Sequence, residues 1–278
     1  MLPVSIGVAT VAMASGVEGA TFFAPLLLLV LGLSPEVAIG TGLITEVFGF
    51  ASGVTAYVRK RLIDYRLAGT LLAVTVPAAL LGSWLTSVFD PEILKAILGT
   101  GLFVLAFTFL RPSSSGDADE IEETAPDDAA MKARQSCIVT AEGEEICYTV
   151  AKRGEAMAGA GVGAVFMGMI ATGLGEMNGY FLLKRCKVPS RVAVATSVLV
   201  VAVSALVAAT GHLVGFFRSG GDDLPTVVSL VIWTVPGVVI GGQLGAAVAS
   251  RISQHALERG LGLLFLLVGA LMLADVLR

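Results

Sequence analysis

Long apolar runs separated by short polar turns set the pattern of this chain. Apolar segments cover residues 36–58, 67–89, 93–110, 191–213, 224–249 and 260–276, each near the roughly 20 residues with which a helix crosses a bilayer. Two further stretches behave differently. Residues 2–15 and 22–32 are each short for a span and together long for one, and between them lies Ser15-Gly16-Val17-Glu18-Gly19-Ala20-Thr21. Residues 156–173 and 180–183 flank Thr172-Gly173-Leu174-Gly175-Glu176-Met177-Asn178-Gly179 in the same way. Glycine weakens a helix, and an ionised carboxylate is costly at membrane depth. Each interruption therefore predicts two half-helices meeting at a functional break.

Residues 111–155 are the one long polar stretch. It begins as a Ser/Asp/Glu-rich linker with too few apolar groups to order itself. Its end predicts a β-hairpin, residues 136–140 pairing with 144–150 around Ala141-Glu142-Gly143, whose glycine suits the left-handed position of a three-residue loop. That register sets Cys137 opposite Cys147. In a cytoplasmic loop both are expected as thiols, and without nearby His or Cys partners they make a weak zinc site. Cys186 is expected to pack at the membrane edge.

Composition makes these segments a membrane protein: 55% of residues are hydrophobic and 14% charged, with a mean hydropathy of +0.86, beyond what a soluble surface tolerates. The net charge of -4 is concentrated in the polar linker, so nucleic acid is not an expected partner. No basic stretch precedes the first apolar segment and no small-residue cleavage pattern follows it, so no signal peptide is expected.

The two parts of the chain read as repeats. Thr75-Val76-Pro77-Ala78-Ala79-Leu80-Leu81-Gly82 recurs as Thr234-Val235-Pro236-Gly237-Val238-Val239-Ile240-Gly241, and Val37-Ala38-Ile39-Gly40-Thr41-Gly42 as Val192-Ala193-Val194-Ala195-Thr196-Ser197. If each break is the tip of a re-entrant hairpin followed by three spans, the repeats are inverted. Fifteen of the 18 basic residues then share one face: Arg59, Lys60, Arg61, Arg66, Arg111, Lys132, Arg134, Lys152, Arg153, Lys184, Arg185, Lys187, Arg191, Arg251 and Arg259. Lys95, Arg218 and Arg278 lie opposite. If each broken segment crosses fully, the split becomes 11 to 7. The positive-inside rule prefers the inverted arrangement.

Opening a helix at membrane depth strands backbone N–H and C=O groups, which is tolerated where protein, water or a ligand satisfies them. The half-helix after each break directs its N-terminal amides and positive dipole end into a polar cavity and favours an anion. Gly16, Gly19, Ala20 and Thr21 at the first break, and Gly175, Asn178 and Gly179 at the second, are the expected substrate contacts. The hydroxyls of Thr41, Thr196 and Ser197 and the amide of Gln243 are further candidate donors; hydroxyls bonded back to their own helix are the competing role.

Glu18 and Glu176 beside an anion site make sense as proton carriers: protonated, either coexists with the anion, and ionised, it disfavours rebinding. The competing role is a permanent cap on the following half-helix. Glu46, mid-span near Thr41 and Thr45 and matched by apolar Val201 in the other repeat, belongs either to a proton path or to an interhelical hydrogen bond. Lys184, Arg185, Lys187 and Arg191 either draw anions into a cytoplasmic vestibule or only fix topology. His212 is expected near the outer face as an interfacial histidine. Pro77 and Pro236 kink equivalent helices, with Gly82 and Gly241-Gly242 permitting close packing. No metal or cofactor is expected, since no ligand set or nucleophile–base pair is apparent and the histidines, His212 and His255, fall on opposite faces.

In this order, twice over, these motifs resemble the TauE/SafE (sulfite exporter, TSUP) family of bacterial membrane permeases. The resemblance runs through the breaks, Pro35-Glu36-Val37-Ala38-Ile39-Gly40-Thr41-Gly42, Tyr57-Val58-Arg59, Ile63-Asp64-Tyr65-Arg66-Leu67-Ala68 and the proline–glycine spans. The family often has a run of glycines where this chain has Val17-Glu18-Gly19-Ala20 and Leu174-Gly175-Glu176-Met177, so glutamate replaces small residues at the expected site. The resemblance implies export of sulfite, an organosulfonate or another small sulfur-containing or carboxylate anion, driven by an ion gradient.

The expectation is an all-α polytopic protein of two inverted repeats, residues 1–110 and 156–278, joined by the cytoplasmic linker 111–155. Each repeat is a re-entrant hairpin plus three transmembrane helices. The function expected is a proton-coupled anion exporter in a bacterial inner membrane, alternating access by rocking one half against the other. Its partners are the small anion, protons and the bilayer, with a homodimer as a candidate assembly. Three rivals stand beside it. An anion channel keeps its flux when Glu18 and Glu176 are neutralised, a membrane enzyme needs a reactive constellation, and a non-transporting partner subunit tolerates loss of both breaks.

Overall fold

A computed structural model describes residues 1–15, 18–110, 135–249 and 254–276. In chain order the helices are α1 (Leu2–Ser15), α2 (Ala20–Leu31), α3 (Pro35–Lys60), α4 (Tyr65–Val88) and α5 (Pro91–Leu110), then α6 (Arg153–Ile170), α7 (Leu174–Gly179), α8 (Ser190–Arg218), α9 (Leu224–Ala249) and α10 (Gln254–Val276). A π-helical stretch, Tyr180–Arg185, continues α7. Strands β1 (Gln135–Val139) and β2 (Glu145–Thr149) form the antiparallel hairpin.

Local chemistry sets the ends. Ser34 caps α3 by accepting from Val37 N, Pro35 takes the first position, and the helix ends where Arg61 turns left-handed at φ 52°. Asp64 caps α4, its Oδ1 accepting from the amides of Arg66 and Leu67 at 2.9 Å each.

Among the described residues, Pro35–Lys60, Tyr65–Val88, Ser190–Arg218, Leu224–Leu244 and Arg259–Val276 are long and apolar enough to cross a membrane. The chain is an all-α polytopic membrane protein, with one small hairpin among the described residues. Its outward faces carry large apolar side chains such as Trp84, Ile232, Trp233 and Leu263, while alanine and glycine crowd the interior. That distribution suits lipid, where association rests on close backbone approach between small residues. A Cβ added at Gly82 of α4 would stand 2.9 Å from Gly168 Cα of α6, and one at Gly241 of α9 would stand 2.8 Å from Ala9 Cβ of α1. The close packing expected at Gly82 and Gly241 is present.

Contacts fix helix directions. α5 and α10 are antiparallel: Lys95 pairs with Asp275 at 2.6 Å, and toward the other end Gly262 meets Leu110. α3 and α8 are also antiparallel, with Gly215 beside Glu36 and Gly53 beside Val198. α4 and α6 run parallel, Gly161 facing Val74 and Thr86 Oγ1 donating to Met169 O at 3.1 Å. α1 and α9 run parallel, Ser5 Oγ donating to Trp233 O at 3.5 Å and Thr10 Oγ1 to Gly241 O at 3.3 Å. α6 and the segment from α7 to Arg185 fold back on each other: Gly163 faces Leu174, Gly159 faces Phe181, and Ala151 N donates to Cys186 O at 3.2 Å where the two ends meet.

Several expectations change. The second interruption is open only across 171–173, with Ala171 left-handed at φ 59° and Gly173 at φ 115°, so Glu176 and Asn178 lie on α7 rather than in an unwound loop. His212 is buried at 2% exposure and its Nε2 lies 2.9 Å from Gly168 O; α8 runs on to Arg218 and keeps that turn inside the bundle. The hairpin has the expected register, Cys137 opposite Cys147, with Gly143 at φ 84°. The expected thiols, however, are joined as a disulfide, which direct cross-strand opposition permits. Cys186 packs fully buried.

Candidate functional site

The two interruptions meet in the interior. Thr21 Oγ1, in the first turn of α2, donates to Thr172 Oγ1 at 2.8 Å, both buried. Around this contact the helix starts expose their amides, and carboxylates take them. Glu46 Oε1, from α3, accepts from Ala20 N at 3.3 Å. Glu18 Oε1 crosses from the first interruption to accept from Gly175 N of α7 at 2.5 Å. Glu176 Oε2 accepts from Gly173 N at 3.2 Å. The donors that the sequence assigns to an anion are held by the protein's own carboxyl oxygens.

The position of Gly175 is specific. A Cβ there would stand 2.8 Å from Glu18 Oε1, 3.3 Å from Cγ and 3.4 Å from Cδ, so a side chain at this position would push the carboxyl group off its seat on the amide.

The cluster is not saturated. Glu18, Glu46 and Glu176 lie within Coulombic reach of one another. Among the described residues, Glu18 Oε2, Glu46 Oε2 and Glu176 Oε1 are buried without a hydrogen-bond partner, as are Thr41 Oγ1 on α3 and Asn178 Nδ2 on α7. Each such atom costs about 1–3 kcal/mol. A fold that keeps five on these elements holds polar capacity that its own packing does not use.

The structure gathers Glu18, Gly19, Ala20, Thr21, Glu46, Gly175 and Glu176 here, with Gly19 Cβ space opening 4.0 Å from Glu46 Oε1. Asn178 and Thr41 ride on the same elements. Gly16 lies outside the described residues. A Cβ at Gly179 would touch nothing within 4 Å, so this glycine is not a contact of the cluster. Gln243 is exposed; two residues past Gly241, it points away from the face that packs on α1. Thr196 Oγ1 is taken by Asp64 N at 3.1 Å, which fixes it and neighbouring Ser197 at the start of α8, away from the carboxylates.

The basic residues are partly engaged. Arg185 pairs with Glu155 at 2.7 Å, and Arg191 with Glu144 at 2.8 Å and Glu142 at 3.8 Å. Lys184 and Lys187 are exposed beside them. These pairs tie the ends of α6 and of the π-helical stretch together and join the start of α8 to the β-hairpin.

Sequence reasoning missed three interior pairs. Thr172 opens the second break, and nothing in the sequence assigns it a role there. Thr45 lies 2.8 Å from Thr234 across α3 and α9, and Ser204 donates to Thr75 at 2.9 Å across α8 and α4; the repeated Thr-Val-Pro was their only signal. Asp64, inside a motif noted for resemblance alone, takes four donors: the two cap amides, Ser136 Oγ at 3.0 Å and Tyr148 OH at 2.6 Å. Burial alone would raise this carboxyl, but these donors, Tyr148 foremost, hold it below the usual aspartate value. Burial, followed by the same hydrogen bond, pushes the Tyr148 hydroxyl up.

Comparison with known proteins gives concordant matches. The family model described as sulfite exporter TauE/SafE matches residues 1–272. The chain is similar to "Probable membrane transporter protein YunE" of Bacillus subtilis (strain 168), 22% identical over 246 residues that cover 85% of this chain and 80% of that protein. It is similar also to "Probable membrane transporter protein YjnA" of the same organism, 31% identical over 102 residues, 34% of this chain and 40% of that one. "Probable membrane transporter protein ORF9" of Sinorhizobium sp is 26% identical over 99 residues, 36% and 38% of the two chains. No solved structure matches.

Proposed function

The chain belongs to the sulfite exporter TauE/SafE family, and from that premise we propose that this membrane transporter exports a small oxyanion, sulfite or an organosulfonate, by proton-coupled alternating access in a bacterial inner membrane. The observation that carries the reading is the seat of Glu18 on Gly175 N. The carboxylate occupies the amide that a substrate oxyanion would use, so the two compete. A proton on Glu18 removes its charge, releases the amide and admits the anion; loss of the proton lets the carboxylate return and displace it. Competition for one donor couples the two fluxes without any separate transmission device. Glu46 and Glu176, within reach of Glu18, complete the proton path, and Asn178 Nδ2 and Thr41 Oγ1 supply neutral donors to the oxyanion.

The inverted-repeat reading draws support from reciprocal contacts. Thr45···Thr234 is answered by Ser204→Thr75, and Gly82–Gly168 by Gly241–Ala9; each residue lies 159 positions from its counterpart. The antiparallel pairs α3–α8 and α5–α10 are what inversion requires of equivalent helices, and the meeting of residues 151 and 186 fits a re-entrant second hairpin. On this register Glu46 is matched by Ala205, one turn beyond Val201, so the site keeps a single mid-span carboxylate. The rival channel reading needs no tethered competitor at a helix start, and the relatives carry the name "Probable membrane transporter protein".

Uptake of labelled sulfite and of a small organosulfonate into liposomes under a proton gradient tests this, comparing wild type with Glu18→Gln and Glu176→Gln. Wild type follows the gradient, and Glu18→Gln, folded but unable to titrate, loses gradient-driven uptake by about tenfold or more. Equal gradient-driven flux in both removes proton coupling and leaves a channel or uniporter.

A further inference from the structure

The β-hairpin plays no part in that cycle, yet it is tied to both halves of the chain. Ala141 N donates to Lys60 O at 3.1 Å at the end of α3. Ser136 and Tyr148 hold Asp64, whose amide reaches Thr196 of α8, and Arg191 of α8 pairs with Glu144 in the hairpin. One small sheet thus clamps the α3–α4 turn against the start of α8. Ser136 and Tyr148 face each other in the ladder, and the next pair along is Cys137–Cys147. The two cysteines are bonded and exposed, whereas Tyr148 is buried. A two-stranded hairpin is marginally stable on its own. The covalent link beside the Ser136–Tyr148 pair fixes the register that presents both hydroxyls to one carboxylate oxygen.

We propose that Cys137–Cys147 is a thiol–disulfide exchange site that sets this clamp. As a disulfide, the hairpin holds the α3–α4 turn on α8 and restrains opening of the basic face; as a dithiol, it lets them part. The effect on flux rests on the transport reading, while the clamp rests on the hairpin geometry alone. The reductant is a small thiol of the glutathione class. Its thiolate attacks one exposed sulfur, the S–S bond breaks, and the other cysteine leaves as a thiolate and is protonated. A second small thiol resolves the mixed disulfide, giving two cysteine thiols and one small-molecule disulfide. The basic face is the cytoplasmic one by the positive-inside rule, where such thiols are abundant.

The test uses full-length protein in liposomes, equilibrated with oxidised or with reduced glutathione. Peptide mass identifies the disulfide, and amide hydrogen exchange is followed over residues 60–66, 135–149 and 190–196. Oxidised wild type is expected to exchange at least about tenfold more slowly than reduced wild type in the 60–66 turn and at the start of α8. Cys147→Ser exchanges at the fast rate under both conditions. Tyr148→Phe keeps the disulfide and loses most of the redox difference at 60–66, which a merely structural disulfide would not predict. Sulfite flux, measured in parallel, is several-fold slower in the oxidised form. Equal hydrogen exchange in the two wild-type states with the disulfide verified by mass, or no disulfide after oxidation, overturns the proposal. Hydrogen exchange is read without substrate, so absence of sulfite flux in both states counts against the transport reading and leaves the clamp to be decided by exchange.

Discussion

Replacing Gly175 by alanine puts one methyl group into the seat of Glu18. The added carbon would stand 2.8 Å from Oε1 with Cγ at 3.3 Å and Cδ at 3.4 Å. Ordinary contact lies near 3.4 Å or beyond, so the carboxylate must retreat by about half an ångström. The retreat stretches and bends the N–H···O bond now at 2.5 Å. A hydrogen bond to a charged group is worth about 1.5–3 kcal/mol, and losing roughly half to two-thirds of it is about 1–2 kcal/mol. A substrate oxyanion that uses the same amide meets the same methyl. At a pH that keeps Glu18 protonated and off the amide, the expected result is a roughly five- to thirtyfold rise in the concentration of sulfite needed for half-maximal uptake.

The control is Gly179→Ala, one turn further on, where an added Cβ meets nothing within 4 Å. It should transport like wild type, because alanine also favours the helix. Wild-type affinity in Gly175→Ala would refute the shared-amide reasoning. Equal damage in both variants would assign the effect to general intolerance of alanine in this helix.

Three further outcomes follow from the geometry. Asn178→Ala should weaken anion affinity by about tenfold, since it removes a buried donor with no partner among the described residues, whereas exposed Gln243→Ala should match wild type; a damaging Gln243→Ala would return that residue to the site. The Asp64 carboxyl is held below its ordinary value of 3.8. Its contribution is therefore complete above that value and lost as pH falls through the lower folded one. Amide protection in residues 135–149, taken as exchange relative to the intrinsic base-catalysed rate at each pH, should fall only below about pH 4 and stay flat from pH 5 to 8, and Asp64→Asn should abolish the acid step.

The breaks were legible because glycine and carboxylate inside apolar sequence have few structural explanations, and the hairpin register because Gly143 demands a left-handed position. Partners were not legible. Glu18 reaches an amide 157 positions away, and no spacing rule announces that the carboxylate of one break caps the helix of the other. Gln243 illustrates a simpler limit. A polar residue in an apolar helix reads as a site residue until the packed face is known, and Gly241 sets that face toward α1. Thr196 looked like a ligand donor because its role as acceptor for the Asp64 amide depends on a turn from the other half. The oxidation state of Cys137 and Cys147 is likewise a property of three-dimensional opposition and solution chemistry, which residue type and expected compartment misjudged.

The reciprocal contacts also bear on what moves. Rocking one sequence half against the other would separate α1 from α9 and α6 from α4. Those are the tightest contacts, where backbone meets backbone at Gly82, Gly168 and Gly241, and packed interfaces of small residues have little slack to give up gradually. The contacts between the breaks are of another kind. Thr21–Thr172 is one hydroxyl pair and Glu18–Gly175 one carboxylate seat, each able to break and re-form at a cost of about 0.5–3 kcal/mol. Each hairpin should therefore travel with the long helix of the other half, and the seam between the breaks should open. Paired cysteines in a background without the native ones separate these cases. A bridge between Val74→Cys and Gly161→Cys, where the Cβ of position 161 would lie 2.9 Å from Val74 Cγ1, joins α4 to α6 and should leave sulfite uptake intact. A bridge between Thr21→Cys and Thr172→Cys, whose hydroxyls are 2.8 Å apart, should stop uptake until it is reduced. If the first bridge stops transport and the second does not, the halves themselves are the moving bodies and the seam lies between α4 and α6.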